Sequence, residues 1–205
     1  MSAAASRASV WWVALGYYAG FFLLWTISHE LSDMHETRYA LYFDWETRIP
    51  FQAWVLPLYF SLDVAVALFP FAFRSWREAL PPMGTLLAQT AIAAPFFVFI
   101  PIGPGYVNDM SSGVWGAYLF EPLGLANVSQ WNHLPSLHVA YAFTLAWAIG
   151  PRWRTWAMIW ATAVSASTMF VHEHHLICVI TGFVLFLVTI TTVYPFLQRC
   201  SILRA

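Results

Sequence analysis

The sequence contains no lysine, and arginine supplies all nine of its basic residues. Charge of either sign is scarce: 9% of the 205 residues are Asp, Glu, Lys or Arg, against about one quarter in a soluble domain. Such a chain cannot cover a globular surface with groups that water solvates, which excludes an ordinary soluble protein. A formal net charge of −1 also provides no field for holding nucleic acid. The two cysteines, Cys178 and Cys200, stand at opposite ends of the last predicted helix, too far apart to bridge. Internal repeats and low-complexity tracts are missing. What is abundant is apolar surface: 60% hydrophobic and 19% aromatic residues, with a mean hydropathy of +0.63. Twelve tryptophans and nine tyrosines suit a protein with two interfacial belts. The length fits one domain over residues 1–205, with the bilayer as its second solvent.

Apolar runs separated by polar or Pro/Gly stretches predict an all-α bundle of six transmembrane helices: Val10–Ile27, Pro50–Phe73, Gly84–Ile102, Leu134–Ile149, Trp156–Val171 and Leu176–Leu197. The first is read as a span and not a signal peptide, because no small-x-small cleavage pattern follows its long apolar stretch. Six spans put Arg7, Arg74, Arg77, Arg152, Arg154, Arg199 and Arg204 on one side, with Glu78 as its only acid. The other side has Arg38 and Arg48 with Glu30, Asp33, Glu36, Asp44, Glu46, Asp109, Glu121 and Glu173. The positive-inside rule then places both termini in the cytoplasm, and the expected location is the plasma (inner) membrane. Asp63 lies inside the second span, either as a functional acid or as a neutral, hydrogen-bonded one between helices.

All seven histidines (His29, His35, His133, His138, His172, His174 and His175) fall on the outer, extracytoplasmic side. The one long loop, 103–133, opens with Gly103-Pro104-Gly105 and is a candidate lid. Two motifs follow. In Asn132-His133-Leu134-Pro135-Ser136-Leu137-His138, proline suits a first helical turn, and Ser136 is expected to leave backbone N–H groups free at the positive end of the helix. Beside His138 that would form an anion site with a proton donor; a capped helix start carrying an interfacial histidine is the plainer alternative. In His172-Glu173-His174-His175-Leu176-Ile177-Cys178, a helix starting near Glu173 would make His174 and Cys178 neighbours on one face. Metal binding, catalysis and interfacial packing are all open to that cluster.

Together, Pro-Ser-Leu-His at the start of span four and His-Glu-His-His at the start of span six resemble the type-2 phosphatidic acid phosphatase superfamily. The closest likeness is to the branch that includes inositol phosphorylceramide synthases. The resemblance implies phosphoryl transfer from a lipid phosphate through a phosphohistidine, with no cofactor and no metal. Carried over by position, His174 is the nucleophile and His138 the acid for the leaving group. Cys178 stands where the family has an aspartate that orients the nucleophile, and Thr168 where it has an arginine. Ser136, Leu137, Asn132, Arg38 and Arg48 are then the expected phosphate-binding residues. Glu173 and Asp109 are the acids that could replace the missing aspartate.

Two other readings remain open: the same fold binding a lipid or a partner protein without catalysis, and a metal-binding membrane protein. The second would use His133, His172 and His175, with His138 and His174 as further ligands. Nothing in the sequence specifies oligomeric state, the lipid, or the choice between phosphatase and transferase.

Overall fold

A computed structural model of the chain describes residues 3–103, 105–106 and 132–203. Among these residues the structure is helical, with no strand beyond an isolated bridge between Tyr39 and Ile102. The helices are α1 (Ala3–Asp33), α2 (Leu56–Leu68), α3 (Trp76–Phe99), α4 (Leu137–Ala148), α5 (Pro151–Phe170), α6 (Leu176–Thr191) and α7 (Val193–Leu203). Four helical stretches are long and apolar enough to cross a membrane: Arg7–Asp33, Ala53–Ala72, Trp76–Phe99 and Leu176–Leu203. This is a membrane protein. α4 is apolar but shorter, and α5 carries Arg152 and Arg154 in its first turn.

Several element boundaries differ from the expected ones: α1 runs from Ala3 to Asp33, and α5 begins at Pro151. α3 begins at Trp76, eight residues before Gly84. Pro81, Pro82 and Pro95 lie inside this helix and do not end it. The last span divides at Thr192 into α6 and α7.

α3 is the hub of the bundle, packing on α1, α4, α6 and α7, while α2 packs on α5. Val10, Ala14 and Tyr17 of α1 meet Ala79, Met83 and Leu86 of α3, and Ala140, Leu145 and Val164 complete that core. Gln89 spans its centre: its Nε2 donates to Thr144 Oγ1 and Thr189 Oγ1, both at 2.8 Å, tying α3 to α4 and α6. Large apolar side chains cover the outside, including Trp12 at 74% and Phe99 at 70% exposure. Water would not support such a surface, whereas acyl chains do.

The two ends of the bundle differ in chemistry. At one end the starts of α1 and α3 meet through Ser9 Oγ, which accepts from Trp76 N at 3.2 Å. Arg77 of the same end borders a hollow shared with Ala148 and Tyr194. The opposite end gathers the histidine motifs. There the segment between α1 and α2 is built into the structure: Tyr39 N donates to Pro101 O (2.9 Å), Gly103 N to Tyr39 O (3.1 Å), and Gln52 N to Phe170 O (2.9 Å).

Candidate functional site

Both histidine motifs are positioned by backbone geometry at helix ends. α5 stops in a Schellman arrangement: His172 N bonds Met169 O at 3.3 Å and Glu173 N bonds Thr168 O at 3.0 Å. The turn residue is His172, at φ 60°. A non-glycine residue tolerates that conformation when its side chain is held, and His172 Nε2 bonds Ile49 O at 2.8 Å. His174 N also donates to Thr168 O, at 3.1 Å. α6 then begins at Leu176, with His175 as its N-cap.

That start corrects the expected register. Residues 171–175 are spent on reversing the chain, so His174 precedes the helix and is not one turn before Cys178. Cys178 is fully buried in a cluster with Ile102 and Leu134, and its peptide is engaged at both ends. Its N–H donates to His175 O at 2.9 Å and its carbonyl accepts from Ser136 N at 3.1 Å.

Ser136 caps α4, its Oγ accepting from Val139 N at 3.3 Å. The amides expected to be free there are therefore partly spent, one on Cys178 and one on the cap. Gly182 makes this approach possible, since a Cβ on it would lie 2.4 Å from Ser136 O and 3.0 Å from Val139 Cβ. The close packing of α4 on α6 brings the two motifs together. The ring centroids of His138 and His174 are 5.7 Å apart, and those of His133 and His174 are 5.4 Å apart. His138 stacks on Tyr59 of α2 at 4.5 Å. His133 Nδ1–H donates to the Glu173 carbonyl.

The three imidazoles line one cavity of about 400 Å³. Asn132, Glu173, Leu137, Tyr59 and Tyr141 share that lining, and Tyr17, Phe21, Phe22 and Trp25 of α1 form its far wall. Asp63 lies on the same α2 face as Tyr59, one turn along, and also borders the cavity. The lining is shared between α1 and α2, and Phe22 on the α1 wall is 62% exposed. These two helices are joined further along, where Tyr18 OH donates to Val66 O at 3.0 Å and Ala67 O at 3.3 Å. Imidazoles at one end and aromatic walls along the rest make a lining that suits an amphipathic molecule. A second cavity, of about 430 Å³ and bordered by Leu68, Ile149 and Trp156, has no titratable side chain in its lining.

Within the described residues, no arginine lines the histidine cavity. Arg38 turns back on its own loop, bonding His35 O and, at 3.2 Å, Thr37 O. Arg48 is exposed, and neither borders the cavity. Asp109 and Glu121 lie outside the described residues, as does most of the candidate lid 103–133.

His174 is 5% exposed, and its Nδ1 is sealed without a hydrogen-bond partner among the described residues. The ring therefore meets the cavity through its other edge. Burial, reinforced by the neighbouring His133, His138 and His175, holds its pKa well below the ordinary histidine value. A neutral imidazole with an accessible ring nitrogen is chemically a nucleophile.

The alternative metal set of His133, His172 and His175 is not assembled. The ring of Tyr106 lies between His172 and His175, stacked at 4.2 Å on the first and 4.5 Å on the second. Among the described residues, no group of three or more His, Cys, Asp or Glu side chains is arranged to hold a metal ion.

The sequence reading passed over Glu46. This residue, in a single 3-10 turn of the first loop, is fully buried. Its Oε2 accepts from His175 Nδ1 at 3.1 Å and from Leu176 N at 2.8 Å, and its Oε1 from Phe43 N at 3.0 Å. His175 Nε2 in turn accepts from Gly105 N at 3.2 Å, which requires the proton on Nδ1. The one hint in the sequence was the aromatic run Tyr42-Phe43-Asp44-Trp45 before it, unusual for a solvated acidic loop.

Comparison of the chain with protein-family models, with curated proteins and with solved structures finds no match.

Proposed function

We propose that this protein is an integral-membrane enzyme that removes or transfers the phosphoryl group of a lipid phosphate through a phosphohistidine at His174. The meeting of His138 and His174 in one cavity walled by aromatic side chains carries the reading. The lipid enters between α1 and α2 with its chain against Phe21, Phe22 and Trp25, and its phosphate reaches the imidazoles. The nucleophilic ring nitrogen of His174 attacks phosphorus, and the bond from phosphorus to the lipid oxygen breaks. His138 gives that oxygen its proton, so the lipid leaves as an alcohol. Water or an acceptor alcohol then returns its proton to His138 as its oxygen takes the phosphoryl group from His174. With no arginine in the described lining, the proton on His138 and the amide of Asn132 are what the cavity offers the transferring group.

Six spans with both termini cytoplasmic belong to the same proposal, and the arginine-rich end of the bundle supports that orientation. The site then faces the extracytoplasmic side, and the partners are bilayer lipids carrying a phosphate headgroup.

A second reading, lipid-phosphate binding without transfer, draws on the partnerless Nδ1 of His174. A nucleophile with no orienting acceptor loses much of its rate; in the serine-protease triad, the loss on replacing the orienting aspartate is about 10⁴-fold. Purified protein with long-chain lipid phosphates separates the two readings. The enzyme reading expects phosphate release or transfer that is abolished in His174→Ala and lowered at least about a hundredfold in His138→Ala. Saturable binding with no turnover in the unaltered protein would favour the binding reading. Undiminished turnover in His174→Ala would remove the mechanism.

A further inference from the structure

The resemblance puts an orienting aspartate at position 178, where this chain has Cys178, buried among Ile102 and Leu134. A carboxylate does reach this neighbourhood, from the opposite part of the chain. Glu46 accepts three N–H groups, from Phe43, His175 and Leu176, in a pocket with no solvent exposure. Buried acids are rare unless their oxygens are satisfied, and satisfaction this complete marks a built site, not a stray loop residue. The imidazole it holds is clamped on both faces, stacked on Tyr42 at 4.7 Å and on Tyr106 at 4.5 Å. Tyr106 OH donates to His174 O at 3.1 Å. The peptide on the C-terminal side of His174 is thus fixed by Glu46 through His175, and its carbonyl by Tyr106.

We propose that Glu46 is the positioning carboxylate of the site, acting through His175 to set the orientation of the His174 ring. The inference rests on His174 being the reacting group. Glu46 does not reach the His174 ring; what it fixes is the backbone on the C-terminal side of that ring, through His175 and Leu176 N. The hydrogen bond from Gly105 N makes His175 a fixed tautomer that cannot serve as the nucleophile itself, since both ring nitrogens are engaged. Glu46 therefore acts through the chain and never touches the substrate.

The test compares Glu46→Gln and Glu46→Asp with the unaltered chain, in detergent, normalised to the folded fraction. For turnover of a long-chain alkyl phosphate, Glu46→Gln is expected to lower kcat at least tenfold while KM moves less than about threefold, and Glu46→Asp to recover part of the loss. A merely structural residue would lower the yield of folded protein and leave kcat per folded molecule unchanged; that result overturns the proposal. Ring ¹⁵N spectra of histidine-labelled protein provide a readout independent of turnover. The unaltered chain should show His175 protonated at Nδ1, and Glu46→Gln should shift the ring signals of both His175 and His174. A His174 signal indifferent to Glu46→Gln overturns the proposal even if no lipid phosphate is turned over. Absence of turnover with the expected spectral coupling would instead count against the phosphotransfer reading.

Discussion

At the scale of single residues, burial decides the chemistry of the two adjacent histidines. His174 is held well below the ordinary histidine value of about 6.5 by burial and by the imidazoles of His133, His138 and His175. His175 is also held below it by burial, with Glu46 pulling partly the other way. Both rings stay neutral in the folded chain at pH values where the unfolded chain has already taken up protons. The stability they contribute is therefore complete above about pH 6.5 and is lost as pH falls towards their folded values. Thermal unfolding in detergent should show a midpoint that drops between about pH 7 and pH 5, and His174→Gln should flatten that drop. An equal slope in the variant would contradict this assignment. His172 is a different case. Its left-handed backbone costs about 1 kcal/mol, offset by the bond to Ile49 O and the stack on Tyr106. Replacing it with glycine should relieve the backbone and lose both contacts, leaving midpoint stability within about 1 kcal/mol of the original.

At the scale of elements, what matters is how closely helices approach. Gly182 lets α6 pass Ser136, and a methyl group there would overlap a backbone oxygen that has no freedom to move. Gly182→Ala should destabilise the protein by about 1–3 kcal/mol. It should also move His174 relative to His138, so turnover should fall further than the folded fraction does. Gln89 supplies the contrasting case. Thr144 and Thr189 donate their own hydroxyls to Ala140 O and Leu185 O at 2.9 and 2.7 Å. Gln89→Leu therefore strands no donor and should cost only about 1 kcal/mol, measured by denaturation in mixed detergent. The helices themselves were legible in the sequence because runs of apolar residues have no other use at this length. The place of the reversal was legible too, since the expected spans stop at Val171 and restart at Leu176; its backbone geometry was not. Periodicity predicts a helix wherever residues are compatible with one, and the Schellman turn at His172 rests on a backbone conformation that residue type does not announce. Glu46 was equally hidden: its partners, His175 and Leu176, are distant in sequence and no spacing rule links them.

At the scale of the whole molecule, the chain separates its chemistry along one axis. Seven of the nine arginines fall in the segments grouped opposite the histidines, and the histidine cavity runs along α1 and α2. That separation follows from charge order along the sequence, and so the pairing of His138 with His174 was foreseeable from the two motifs and the span order. The absence of arginine from the described cavity lining was not, because Arg38 and Arg48 lie on the correct segment and turn away only in three dimensions. Reporter fusions after Leu203 and within residues 34–38 should report opposite sides, with the former cytoplasmic; the reverse result would put the site on the cytoplasmic face.

The central claim is a covalent bond between phosphorus and one imidazole, and trapping it is the most direct measurement. Purified protein mixed with a ³²P-labelled long-chain lipid phosphate and quenched in alkali within milliseconds to seconds should retain label. The label should survive base, be lost in acid, map to a peptide containing His174 and vanish in His174→Ala. Label retained in that variant, or no label from a lipid that the protein demonstrably turns over, would contradict the account.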